Sequence, residues 1–168
     1  MKWIVITSPD FLSGEAFFID KIFRHGLDLL HLRKSGASVE DYRHLLSLIP
    51  ECWHSRIVLH EHFELTSEFR LHGIHLNRRC SHVPEGFKGS ISCSCHSLEE
   101  VVANKSLRNY LFLSPIFNSI SKVGYEAAFS DSILQQAAQD AIIDSKVIAL
   151  GGVSSANIPQ IKSWHFGG

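Results

Sequence analysis

Residues 109–122, NYLFLSPIFNSISK, form an apolar run that stops abruptly in a polar loop. NYLFL (109–113) has the length and composition of a buried strand. Ser114-Pro115 breaks it, and Ser119, Ser121 and Lys122 follow. The same form recurs on both sides. WIVIT (3–7), DLLHL (28–32), RIVLH (56–60), GIHL (73–76), SISCS (90–94) and KVIAL (146–150) all read as short strands. Helical patterns lie between most of them, over 13–25, 38–50, about 62–71, 96–105 and 130–143, with another beginning near Ser154. Ser38-Val39-Glu40-Asp41 has the form of a capped helix start, and Ser97 with Glu100 has capping-box spacing.

Short strands that alternate with helices imply parallel pairing, because a parallel connection needs a crossover. Repeated right-handed β-α units leave two architectures, an eight-stranded barrel or an open doubly wound sheet. The strand ends decide between them. His31 and Arg33, His60 and Glu61, Ser94 and His96, Ser114, and Gly151 and Gly152 all stand at C-terminal ends. A barrel gathers such ends at one mouth, whereas an open sheet concentrates its ligand groups at one switch point. The expectation is an α/β TIM (β/α)8 barrel forming a single domain over residues 1–168. The eighth β-α unit is missing from that count, since the sequence given stops at SWHFGG (163–168). A C-terminal truncation, with roughly 30 or more further residues carrying a last β-α unit in the natural protein, is therefore expected.

Composition narrows the class of function. With 45% hydrophobic residues, 20% charged residues and a net charge of −1, the chain reads as a globular protein with a sizeable core. A near-neutral balance speaks against nucleic-acid or membrane binding, since either would normally need a basic surface. No apolar run approaches the roughly 20 residues of a membrane span, and MKWIVITSPDF lacks the features of a signal peptide. Cys52, Cys80, Cys93 and Cys95 make no disulfide framework, so free thiols in a reducing cytoplasm are expected. The sequence leaves self-association into a homo-oligomer open.

Four stretches carry candidate chemistry. Ser119, Ser121 and Lys122 offer hydroxyls and a positive charge that suit phosphate, against the plainer reading of a polar surface loop. In LGGVSSAN (150–157), the diglycine lets backbone N–H groups approach an anion ahead of a helix start; the plainer reading is a tight turn with Ser154 or Ser155 as N-cap. In LLHLRKS (29–35), alternation puts Leu29, His31 and Arg33 on one face, and Arg33 can grip a phosphate with two N–H groups. In IVLHEHFEL (57–65), His60, Glu61 and His62 are acid/base or metal-ligand candidates. CSCH (93–96) lacks a tetrahedral ligand set, because Cys93 and Cys95 face one way and Ser94 and His96 the other.

Together these stretches resemble the thiamine phosphate synthase and thiazole tautomerase superfamily, from WIVITSP to IALGGVSSANI. HLRKS is similar to its Gln-aromatic-Arg-acid-Lys segment, IVLHEHFEL to its Val-Asn-Asp strand end, and HGIHL to its Asp-Gly-Ile/Val-His-Leu signature. SCHSLEEV resembles its Ser-x-His-[Ser/Thr]-x-x-Glu segment, LSPIFNSISK its proline loop, and IALGGV its late diglycine strand. The resemblance implies a transferase of thiamine biosynthesis. It joins hydroxymethylpyrimidine pyrophosphate to thiazole phosphate, with small phosphorylated substrates as its partners and Mg²⁺ on the leaving group.

Carried over by position, Arg33, Ser94 and Lys122 would be catalytic groups holding pyrophosphate. His31, His60, Ser119, Ser121, Gly151 and Gly152 would bind substrate, and Glu61 would be the metal ligand. The chain departs from the pattern at several positions. His31 replaces the glutamine, His60-Glu61 replaces Asn-Asp, and Lys34 precedes the place where Ser35 replaces a lysine. The second metal carboxylate falls at about Cys80, beside Arg78 and Arg79. The alternatives are a thiazole tautomerase-like isomerase and a non-catalytic phosphate-binding paralogue. The tautomerase's histidine after the sixth strand is replaced by Pro115, as in synthases, while His31, His60 and His75 remain candidate proton carriers.

Overall fold

A computed structural model describes residues 1–118 and 127–168. It divides into two compact units, residues 2–91 and residues 92–168, with Met1 grouped with the second. The N-terminal unit contains β1 (Ile4–Ile6), α1 (Glu15–Arg24), β2 (Leu29–Leu32), α2 (Val39–Leu48), β3 (Ile57–Leu59), α3 (Leu65–Glu68) and β4 (Gly73–Leu76). β5 (Ser90–Cys95) starts in this unit and ends in the next. The C-terminal unit continues with α4 (Leu98–Asn104), β6 (Tyr110–Leu113), α5 (Asp131–Gln139), β7 (Val147–Ala149) and α6 (Ile158–Ser163). Among the described residues, β1 to β4 pair in parallel in the order of the sequence, and so do β5 to β7. An α/β fold built on parallel strands agrees with the sequence expectation.

Register decides which side chains share a face. Leu30 pairs with Ile57 and Leu32 with Leu59, and these four join Ile19 and Phe23 of α1 and Tyr42 and Leu46 of α2 in one apolar cluster. Leu29, His31 and Val58 therefore point to the opposite face, as strand alternation requires. Every residue of β2, β3 and β4 is buried, as expected for a parallel sheet with both faces covered. A histidine placed on the second face of β2 must then find its polar contacts inside the protein.

Helix starts are fixed by side chains the sequence shows. Ser38 and Asp41 form a reciprocal capping box at α2, with Asp41 N–H donating to Ser38 Oγ at 3.2 Å and Ser38 N–H to Asp41 Oδ2 at 3.1 Å. Ser97 and Ser130 accept from Glu100 N–H and Ile133 N–H at α4 and α5. Such caps contribute about 1 kcal/mol each. One element went unforeseen, a 3₁₀ helix over Glu51–Arg56 directly after Pro50. In the C-terminal unit, Leu111, Leu113, Val147 and Ile161 are fully or nearly fully buried. Past α6, Gly167 N–H donates to Val147 O at 2.8 Å and Gly168 O accepts from Ala149 N–H at 2.9 Å, where the sequence placed the start of a further strand. No described helix is long and apolar enough to cross a membrane.

Candidate active site

In the N-terminal unit, β2, β3 and β4 bring His31, His60 and His75 together. Their exposures are 0%, 6% and 2%. His31 Nδ1 and His60 Nε2 lie 3.0 Å apart, a hydrogen bond in which one ring donates and the other accepts. The rings of His60 and His75 stack at 4.3 Å, and His31 meets both edge-on at 5.2 and 5.4 Å. Burial holds all three below the ordinary imidazole range, because a charged ring would lose its water. His60 is pushed down to about 2, chiefly by burial, then by the repulsion that a protonated His75 would exert, with Arg33 and Arg79 adding their charge. His75 is pushed down to about 3 by burial and then Arg33. His31 is also well below 6.5, through burial and then its histidine neighbours. The three rings are neutral at pH 7, so they can exchange hydrogen bonds but cannot serve as cationic phosphate anchors.

Glu61, which follows His60 at the end of β3, is already engaged. Its Oε1 accepts from Arg79 Nη2 at 2.9 Å and its Oε2 from Gly36 N–H at 3.3 Å. Arg79 also donates to Ser35 Oγ at 2.8 Å, tying the turn after β4 to the turn after β2. Asn77 organises that first turn: its side-chain amide donates to His60 O at 2.8 Å, and its Oδ1 accepts from Arg79 N–H and Cys80 N–H. Magnesium demands near-octahedral oxygen ligation. Here one carboxylate is held by a guanidinium, and the second expected position is Cys80, whose thiol is pushed up by burial and by Glu61 and so stays protonated. These residues do not fit a magnesium site. A protein cation stands where the resemblance places the metal.

Arg33 is half-buried just past β2, its backbone clasped to Thr7 by N–H to Oγ1 at 2.9 Å and by its carbonyl accepting from that hydroxyl at 3.1 Å. Its neighbour Lys34 has a different task. Fully buried, its ammonium donates to Glu15 Oε1 at 2.5 Å, Asp10 O at 2.8 Å and Ser8 O at 3.0 Å. Lys34 closes the turn after β1 onto α1 instead of meeting a ligand. Sequence reasoning missed this use, and also missed how firmly Arg79 is committed to Glu61.

In the C-terminal unit, Ser94 is half-buried on β5 between buried Cys93 and Cys95. His96 turns back to β6, its Nδ1 lying 3.0 Å from Ser114 O. The diglycine after β7 is required twice over. Gly151 and Gly152 have φ of +93° and +64°, a region that side chains disfavour. A Cβ on Gly151 would also lie 2.9 Å from Pro115 Cα, and one on Gly152 2.4 Å from Asn118 O. The turn after β6 lies on them, with Ile116 N–H donating to Leu150 O and Phe117 N–H to Gly151 O. Ser154 then caps the 3₁₀ turn Ser155–Asn157, as the plainer reading of the diglycine expected. Ser119, Ser121 and Lys122 lie outside the described residues. The described chain returns at its base, where Ala127 N–H donates to Asn118 Oδ1 at 2.8 Å and Ala128 N–H to Pro115 O at 3.1 Å.

A family model described as thiamine monophosphate synthase matches residues 4–167. The chain belongs to the thiamine monophosphate synthase family. A solved structure, thiamine phosphate pyrophosphorylase from Bacteroides thetaiotaomicron, is 46% identical; the match covers 100% of this chain and 81% of that one, with a TM-score of 0.92. No match was found among curated proteins. Membership identifies the α/β fold as TIM-like, in line with the barrel expected from the strand ends.

Proposed function

We propose that the protein is a transferase that joins hydroxymethylpyrimidine pyrophosphate to thiazole phosphate, forming thiamine phosphate and releasing pyrophosphate. The observation that carries this reading is the family match over residues 4–167, reinforced by the 46% identical pyrophosphorylase. Neither comparison favours the tautomerase alternative. In the reaction, the carbon–oxygen bond to pyrophosphate breaks, leaving a pyrimidine with cationic character, and the thiazole nitrogen forms the new carbon–nitrogen bond. Developing negative charge on the leaving group calls for fixed donors and positive charge.

Arg33 is suited to that task, being half-buried with its backbone held by Thr7. Ser94 and Lys122 are assigned to the same pyrophosphate, Ser119 and Ser121 to substrate anionic groups, and the Gly151 and Gly152 amides to the thiazole phosphate. His31 and His60, kept neutral by burial, suit hydrogen bonding to a heteroaromatic ring. Arg79 stands beside Glu61 as a cation of the protein's own, and no step is assigned to magnesium. The reading further takes the protein to be one cytoplasmic barrel domain acting on small phosphorylated substrates.

The test is to incubate the purified protein with both substrates, with and without Mg²⁺, and to follow thiamine phosphate and pyrophosphate. Product that disappears with Arg33→Ala and with Lys122→Ala supports the reading. Thiazole isomerisation without condensation would put the tautomerase in its place. Binding of both substrates without turnover would leave a non-catalytic paralogue.

A further inference from the structure

We propose that His31, His60 and His75 form a binding site for one divalent late transition ion of the zinc class, distinct in chemistry from any carboxylate magnesium site. Three strands that neighbour one another in sheet order supply the ligands: His31 from β2, His60 from the end of β3 and His75 from β4. Each ring offers one nitrogen, and these atoms all lie within 4.8 Å of one another. Zinc–imidazole bonds of about 2.0–2.1 Å at tetrahedral angles put donor nitrogens about 3.3–3.4 Å apart. The His31–His60 pair, at 3.0 Å, is already near that spacing. The third nitrogen must close by no more than about 1.5 Å to complete the tripod.

The ring orientations show what has to move. His31 stands edge-on to the other two, at interplanar angles of 77° and 71°, and so approaches a common centre from its own direction. His60 and His75 stack at 27°, and they must turn apart about their side-chain torsions to aim at the same ion. Side-chain rotation of that kind leaves the strand register untouched. The proton shared between His31 and His60 also has somewhere to go. A neutral imidazole carries one N–H, which can sit on either nitrogen, so the ion replaces the hydrogen bond through a tautomer change without net loss of a proton.

The donor set selects the ion. Imidazole suits zinc, copper, nickel and cobalt, whereas magnesium prefers carboxylate, carbonyl and water oxygen. Three protein nitrogens leave a tetrahedral ion one open position, which takes a water or the ring nitrogen of a neutral heteroaromatic compound. All three ligands lie in the N-terminal unit, and the site stands whether or not the protein makes thiamine phosphate.

Purified full-length protein, stripped with a chelator, is to be titrated with Zn²⁺ by calorimetry and with Co²⁺ by visible absorption. The expected result is one ion per chain, with the intense ligand-field bands of four-coordinate cobalt. His60→Ala and His75→Ala should each weaken binding by at least about 100-fold. The paired change His25→Ala/His82→Ala, at exposed histidines, should leave affinity within about twofold. Circular dichroism establishes that each variant is folded, and His75→Gln, closer in size to the native ring, must give the same loss if His75→Ala unfolds. Absence of binding by the folded protein overturns the proposal. So does binding that survives His60→Ala and His75→Gln, or binding that vanishes with the exposed-histidine pair, which would mark an ion adventitious to the surface. Because the readouts are affinity and cobalt absorption, an inactive transferase and an absent metal site are separate results.

Discussion

Lowering the pH should destabilise the chelator-treated protein steeply, and the histidine cluster sets the size of the effect. His60 and His75 are held to about 2 and about 3, and His31 well below its usual value, chiefly by burial. In the unfolded chain each ring titrates near its ordinary value of about 6.5. Between that value and the folded ones, the unfolded state binds protons that the native state refuses. Stability is therefore whole above about pH 6.5 and falls as the pH drops toward the folded values. Each group forfeits about 1.4 kcal/mol per pH unit within that window. At pH 5, His60 and His75 together remove about 4 kcal/mol, with His31 acting in the same direction.

Against a total of about 5–15 kcal/mol for an ordinary domain, that is a large share. The assay is urea unfolding near pH 7.5, 6.5, 5.5 and 5.0, followed by tryptophan fluorescence from Trp53, which stacks on Phe23, and from buried Trp164. With a slope of about 2–3 kcal/mol per molar urea, the midpoint should fall by about 1.5–2 M between pH 6.5 and 5. His60→Asn should make the decline shallower by about 1.4 kcal/mol per pH unit. A midpoint that stays flat to pH 5 would refute the reasoning, because it would mean the rings accept protons in the folded protein.

Three further outcomes are expected. Lys34→Met leaves Glu15 and the Ser8 and Asp10 carbonyls without their ammonium, and should cost about 3–5 kcal/mol in urea unfolding; Lys34→Met/Glu15→Gln should recover part of the loss. Gly152→Ala forces a side chain into a left-handed backbone and against Asn118 O, so a loss of about 2–4 kcal/mol is expected in thermal denaturation, far beyond an ordinary surface substitution. Calorimetric titration of the substrate-free protein with MgCl₂ should give no saturable heat, since Arg79 already occupies Glu61; a stoichiometric magnesium isotherm would contradict that assignment.

Much of the fold was legible because parallel strands buried on both faces leave plain runs such as LLHL and YLFL, and because Ser38 and Ser97 mark helix starts. The 3₁₀ helix after Pro50 was not legible, since a turn of six residues carries no periodicity to read. Arg33, Glu61 and the diglycine could be placed at strand ends because each follows closely on an apolar run. The meeting of His75 with His31 and His60 could not, because it depends on register between strands far apart in sequence. Lys34 escaped for another reason: a lysine is read as exposed by default, and only three acceptors converging from the turn after β1 and from α1 make its burial tolerable.

The stem formed by Pro115, Asn118, Ala127 and Ala128 fixes two points of the C-terminal unit. Two hydrogen bonds join the chain where it leaves for residues 119–126 and where it returns, and the outgoing side is anchored again by Leu150 and Gly151. Held by hydrogen bonds of its own, the stem fixes both where the chain departs from β6 and where it comes back ahead of α5.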